Sequence, residues 1–202
     1  MKDTWSPIRD KYPDGTSLSI AELINYTVSA SDNNGCDILL GLIGGPSVVD
    51  NYIKAIGFKN TFVKFTEAEM HASHDAQFSN TTTPDDATRL LLDFYTGKVA
   101  MSERNHQFMM KALKETTTGP GRLKALLPEG TVVAHKTGTG GTNETTGITS
   151  AVNDIGIVFL PDGKYYIISV LVSRSKEPFE TNEKMIAEIS KIAWDHFTGT
   201  GK

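Results

Sequence analysis

The stretch NDIGIVFLPDGKYYIISVLV, residues 153–172, decides the fold class. Its two β-rich runs, 153–160 and 164–172, flank Pro161, Asp162 and Gly163, a tight-turn composition, so the segment reads as an antiparallel hairpin. TVVAHKT (131–137), just ahead of it, has the same texture and supplies a third strand. After it, Met185, Ile186, Ile189, Ile192, Ala193 and Phe197 predict an amphipathic helix over 182–197 with those residues on one face.

Upstream of Gly119, Pro120 and Gly121 the pattern is helical. Ser19 and Glu22 form a capping box, and Ile20, Leu23, Ile24 and Val28 follow at helical spacing, predicting a helix over 20–30. A second helix fits 34–43 and stops at Gly44 and Gly45; Pro46 opens a third that ends before Gly57. Pro84, Asp85 and Asp86 open another, with acid where the macrodipole favours it, and Ser102 caps one running to about 114. Between these, FVKFTEAEMHASHDAQFSNTTTP (62–84) has neither period and reads as one long loop, a length that ordered domains reserve mostly for function. Helices, then antiparallel strands, then one helix make an α+β chain, with an all-α part over 1–117 and an α/β part over 118–202.

Composition narrows the class. A net charge of -4 and no lysine/arginine cluster argue against a nucleic-acid surface. No apolar run is long enough to span a bilayer, so no membrane association is expected. Cys36 stands alone, which excludes an internal disulfide. The opening MKDTWSPIRDKYPDG is charged and proline-broken, so no signal peptide is read there. Trp5 and Pro7 so close to Met1 are not what a natural domain edge leads one to expect.

Two polar clusters carry the chemistry. SDNNGCD (31–37) wedges a hydroxyl, a carboxylate and two carboxamides between core-forming runs, where such groups need hydrogen-bond partners. HKTGTGG (135–141) ends a strand with an ammonium, hydroxyls and glycines, a composition suited to binding an anion. Alone, the first reads as a capped helix end and the second as a hairpin turn with a surface lysine. A given tripeptide arises in a chain of this length with odds of roughly 1 in 40, so both by accident is improbable. Ser-Asp-Asn followed by Lys-Thr-Gly belongs to the motif set of class A β-lactamases and penicillin-binding proteins.

The chain resembles a class A serine β-lactamase. TWSPIRDKYPDG, SDNNGCDILL, TEAEMH, ETTTGPGRL, VVAHKTGTG and NDIGIVFLPDG occur in the family's order from Trp5 to the last helix. They are most similar to the extended-spectrum branch found in Bacteroides and some Gram-negative rods. The resemblance implies a β-lactamase/D,D-peptidase-like fold and hydrolysis of penicillins and cephalosporins through a serine acyl-enzyme. It implies Ser31 as the hydroxyl that shuttles a proton to the β-lactam nitrogen, with Lys136 beside it, and Glu67 as the base that activates the deacylating water. Asn33 would donate to the substrate's side-chain amide. Thr137, Gly138 and Thr139 would receive the substrate carboxylate, the Thr139 N–H also serving the oxyanion hole. Trp5 would gate the cleft mouth and Asp32 would hold its loop. No cofactor and no metal are implied; the partner is a small β-lactam, the chain a monomer, and the compartment the periplasm.

Departures from the family pattern stand at His71 and Asp37, where most members have asparagines that hold the water and brace the Glu67 loop. Taken without the resemblance, Glu67 and His71 are a solvated loop carboxylate and a surface histidine. The usual strand-start arginine is replaced by Asn153, and Arg122 is the candidate for the missing cation. Acyl transfer also needs a nucleophile with a base in reach. The family's S-x-x-K helix lies farther upstream of Ser31 than 30 residues, and the one S-x-x-K present, Ser173 to Lys176, reads as coincidence at the tail of the last strand. The first helix and first two strands of the family are likewise expected to be missing. The 202-residue chain is therefore expected to be an inactive, marginally stable fragment with an unpaired sheet edge and wet apolar surface. Alternatives are a non-catalytic β-lactam- or peptide-binding remnant and a D,D-peptidase-type penicillin-binding protein, which shares the motifs but lacks the deacylating glutamate.

Overall fold

Among the described residues, eight α-helices and three strands follow one another in the order read from the sequence, with two additions. A computed structural model describes residues 4–200; Met1, on which the reading of the opening edge rests, lies outside them. The helices are α1 (Pro7–Lys11), α2 (Ile20–Ser29), α3 (Asn33–Ile43), α4 (Pro46–Ala55), α5 (Glu67–Ala72), α6 (Pro84–Tyr95), α7 (Glu103–Lys114) and α8 (Phe179–Thr198). The strands are β1 (Val133–Thr139), β2 (Thr149–Phe159) and β3 (Tyr165–Ser175).

Local signals explain most boundaries. Ser19 and Glu22 close the capping box at the start of α2, and the left-handed Gly44 ends α3. Ser102 caps α7 by accepting from the Asn105 N–H at 3.3 Å. The hairpin connection spans five residues: the Leu160 N–H donates to the Lys164 carbonyl, and Gly163 takes φ 82°, which a side chain would oppose. β2 begins at Thr149, earlier than the apolar run suggests, because its polar first residues pair with β3 through Thr149 and Ser175. The segment read as one long loop contains α5 and a 3-10 turn at Asp75–Phe78. α5 has its own capping box, Thr66 with Glu69, but its six residues are too few to show a period.

The sheet is antiparallel throughout, in the order β1-β2-β3, so among the described residues β1 and β3 are both edges. Strand alternation sends Val152 and Val158 to one face and Ile157 to the other. On the first face Trp194 and Ile186 of α8 pack with Val133, Tyr166, Leu123 and Val170. On the second, Met110 and Leu113 of α7 pack with Ala134 and Ile157. The apolar face expected for the last helix needs correction. Its buried stripe is Asn182, Ile186, Ala187, Ser190 and Trp194, whereas Ile189, Ile192 and Phe197 are exposed. The sheet covers a narrower arc of α8 than the apolar pattern occupies.

Candidate active site

β1 parity sets the site. Ala134, Lys136 and Gly138 share the face turned to the helical half, while His135 and Thr137 turn to the other and are buried. From that face the Lys136 ammonium reaches across to α3 and donates to Ser31 Oγ at 2.7 Å and to the Thr137 carbonyl at 2.8 Å. Ser31 holds φ 55°, a left-handed conformation that L side chains avoid, immediately before the α3 cap. Its neighbour maintains it. Asp32 is fully buried, and its carboxylate accepts from the Gly35 N–H at 2.8 Å, the Ile8 N–H at 2.7 Å and the Ser6 hydroxyl at 3.0 Å. So Asp32 is the helix cap, and Ser31 faces the lysine.

Glu67 opens α5, and Asp37 of α3 fastens it there. Asp37 Oδ1 accepts from the Glu67 N–H at 2.8 Å and Oδ2 from the Ala68 N–H at 3.0 Å. No hydrogen bond from the described residues ends on the Glu67 carboxylate. Burial, followed by the Asp37 charge, pushes that carboxyl above the usual range, with Lys136 opposing. Burial in turn draws the Lys136 ammonium below its ordinary value, against the opposing pull of Glu67. Each group is thus moved toward its neutral form, and each feels the other's charge. Cys36, at the same junction, is inert: burial and the nearby carboxylates raise its thiol to about 12.

An open cleft of about 280 Å³ runs between α5 and the end of β1, lined by Asn33, Glu67 and His71 on the helical side and by Gly138, Thr139 and Asn153 on the sheet. A Cβ on Gly138 would meet only Asn153, at 3.7 Å, so packing does not demand the glycine; it leaves the strand flat toward the cleft. Thr139 is exposed there, whereas Thr137 is buried and shares a hydroxyl hydrogen bond of 2.6 Å with Thr118. Arg122, 3% exposed, lies behind the strand end. It donates to the Gly138 and Asn153 carbonyls at 3.1 and 2.8 Å, to Thr139 Oγ1 at 2.7 Å and to Glu183 at 3.0 Å. The guanidinium therefore lies against the backbone of Asn153, the position at which the usual strand arginine is replaced. Trp5 is 59% exposed; its indole donates to the Ala30 carbonyl at 2.9 Å and its own carbonyl accepts from Asn33 N–H at 3.1 Å, so it flanks Ser31.

The structure thus gathers Glu67, Asn33, Gly138, Thr139 and His71 about one cleft. It pairs Ser31 with Lys136 within the electrostatic reach of Glu67, and gives Asp32, Asp37 and Arg122 supporting bonds to the backbone around them. Ser173 lies on β3, two strands from Lys136 in the sheet order. Sequence reasoning missed the buried pair next to the motif lysine: His135 Nδ1 sits 2.9 Å from Asp154 Oδ1. The signal available was parity, since residues 135 and 154 share a face once the strand register is known. It also missed Gln77, which closes one end of the cleft.

Comparison with known proteins agrees with the geometry. A family model described as "Beta-lactamase enzyme family" matches residues 2–197. Beta-lactamase VEB-1 of Pseudomonas aeruginosa is 47% identical over 198 residues, which are 98% of this chain and 66% of that protein. Extended-spectrum beta-lactamase PER-1, also from Pseudomonas aeruginosa, is 44% identical over 195 residues, 96% of this chain and 62% of its own length. The crystal structure of TLA-3 extended-spectrum beta-lactamase superposes with a TM-score of 0.94 at 52% identity, covering 98% of this chain and 71% of that one. The chain spans just under two thirds of the length of the two curated relatives.

Proposed function

The chain belongs to the β-lactamase enzyme family and has the class A fold, and from that premise we propose that its cleft serves hydrolysis of penicillins and cephalosporins through a serine acyl-enzyme. The observation that carries the reading is the Lys136–Ser31 hydrogen bond standing in the electrostatic field of Glu67. In acylation, a serine oxygen attacks the lactam carbonyl and the C–N bond breaks. Ser31 passes its proton to the departing nitrogen and recovers one from the attacking side, while Lys136 holds the hydroxyl oriented. In deacylation, Glu67 takes a proton from water, the water oxygen attacks the ester carbonyl, and the ester C–O bond breaks as the proton goes to the serine. The raised carboxyl of Glu67 suits a group that must accept and return a proton near neutrality. Thr139, backed by Arg122, receives the substrate carboxylate, and Asn33 its side-chain amide.

The attacking serine, the lysine of its S-x-x-K motif and that serine's share of the oxyanion hole are not identified in the chain. The periplasm as the place of action and a monomeric state belong to the same proposal. No described helix is long and apolar enough to cross a membrane.

The test joins the chain to the S-x-x-K segment of a relative and follows nitrocefin hydrolysis and, by mass spectrometry, the penicilloyl adduct. Hydrolysis is expected, and Glu67→Gln should convert it to accumulation of the adduct. The unjoined chain should form no adduct. A folded, joined protein that neither acylates nor hydrolyses would falsify the reading; rapid turnover by the unjoined chain would show that another nucleophile serves the cleft.

A further inference from the structure

Residues 66–83, which carry Glu67, form a closed segment held at three places. Its neck is shut by Asn80, whose Oδ1 accepts from the Lys64 and Phe65 N–H groups at 2.7 and 3.0 Å and whose Nδ2 donates to the Phe65 carbonyl at 2.9 Å. Its helix start is fastened by Asp37. At its tip the hydrogen bonds end on one atom. Gln77 Oε1 accepts from the Gly141 N–H at 2.8 Å, just past β1, and from the Ser150 hydroxyl on β2. Among the described residues these are the only hydrogen bonds between the segment and the sheet or its β1–β2 connection. The next residue, Phe78, adds a cation–π contact, with the Arg174 guanidinium of β3 at 4.1 Å from its ring.

The junction is built without slack. A Cβ on Gly140 would fall 1.8 Å from Ser150 Oγ and 2.8 Å from Gln77 Oε1, so no larger residue fits there unless the contact opens. Gln77 uses only its acceptor; its amide nitrogen makes no hydrogen bond among the described residues. Gln77 and Glu67 also line the same cleft, with Gly138 to Gly141 opposite.

We propose that Gln77 is a positioning residue, an acceptor latch that holds the Glu67 segment against the end of β1 and fixes the width of the cleft. The role of Glu67 as base is taken from the proposed function; the latch itself is a property of the chain. With the latch shut, the α5 side stays seated and Glu67 stays buried. With it open, the tip lifts from the sheet while Asp37 keeps the helix start in place, so water reaches the carboxylate and its protonation follows.

The experiment uses the 202-residue chain and two NMR readouts, exchange of the Gly141 amide and the carboxyl titration of Glu67. Gln77→Met keeps the length and removes the acceptor. It is expected to speed Gly141 exchange at least tenfold and to lower the Glu67 midpoint toward an ordinary glutamate. Gln77→Glu, ionised, keeps an acceptor for both donors and is expected to preserve Gly141 protection without lowering the midpoint. An unchanged Gly141 and midpoint in Gln77→Met, or a Gln77→Glu that loosens as much, overturns the latch. Should Gln77→Met fail to fold, Ser150→Ala removes one donor from the other side and is read by the same criteria. No β-lactam enters these measurements, so failure of the joined protein to hydrolyse would defeat the functional reading and leave the latch standing.

Discussion

Lys136 Nζ lies 2.7 Å from Ser31 Oγ, and the serine that receives this bond is held at φ 55°. The strained backbone points the hydroxyl at the ammonium rather than along α3. Replacing Ser31 separates the strain from the chemistry. In the unjoined chain Ser31→Gly should be more stable than Ser31→Ala by roughly 0.5–1 kcal/mol, since only glycine adopts this φ without cost. Urea unfolding of the two variants measures it. In the joined protein both should slow acylation by about 10²-fold, the usual worth of a positioned proton carrier, read by stopped-flow.

Glu67 makes stability depend on pH in a defined direction. Its folded carboxyl titrates above the unfolded value, because burial and Asp37 disfavour the charge. The folded chain therefore binds the proton more tightly. The stability this contributes is full below the unfolded pKa and is lost as pH rises through the folded one. Glu67→Gln should accordingly raise the melting temperature at pH 7 and leave it nearly unchanged at pH 4. A variant that loses stability at pH 7 would show that attraction to Lys136 outweighs burial.

Arg122 is too buried to be the first group a substrate meets, and its contact with the cleft runs through Thr139 Oγ1 at 2.7 Å. Arg122→Lys keeps the charge but cannot serve two carbonyls, a hydroxyl and Glu183 together. In the joined protein it should raise KM for a penicillin about tenfold, the worth of one charge-assisted hydrogen bond. Thr139→Val should do much the same, and the double variant should be little worse than either. Additive losses would mean that the two residues act independently.

Asp32 accepts from Ser6, Ile8 and Gly35 while fully buried. Asp32→Asn turns one acceptor into a donor facing N–H and O–H groups. It should cost about 2–4 kcal/mol in urea unfolding of the unjoined chain, because buried donors are left without partners. Ser6→Ala, which removes a single donor, should cost much less.

Segments with a period or a cap were legible in the sequence. α2 announced itself through Ser19 and Glu22, and the β2–β3 hairpin through Pro161 to Gly163. α5 was not, although Thr66 and Glu69 repeat the capping pattern of α2, because less than two turns of helix leave no amphipathic stripe to read. The placement of Arg122 and Gln77 depends on carbonyls and hydroxyls brought in from distant segments, and no local pattern encodes that. α8 misled for the opposite reason. Its apolar stripe is wider than the sheet surface that covers it, so Ile189 and Ile192 belong to the apolar face yet lie exposed.

The His135–Asp154 pair has a meaning for assembly of the sheet. His135 is opposite Gly156 and Asp154 opposite Thr137, so the two side chains meet diagonally in one alignment of β1 against β2. A slip by one residue would separate them and turn the ammonium of residue 136 into the hydrocarbon beneath α8. The buried pair acts as a keying pin: groups closed off from solvent decide on which side of the strand the lysine emerges.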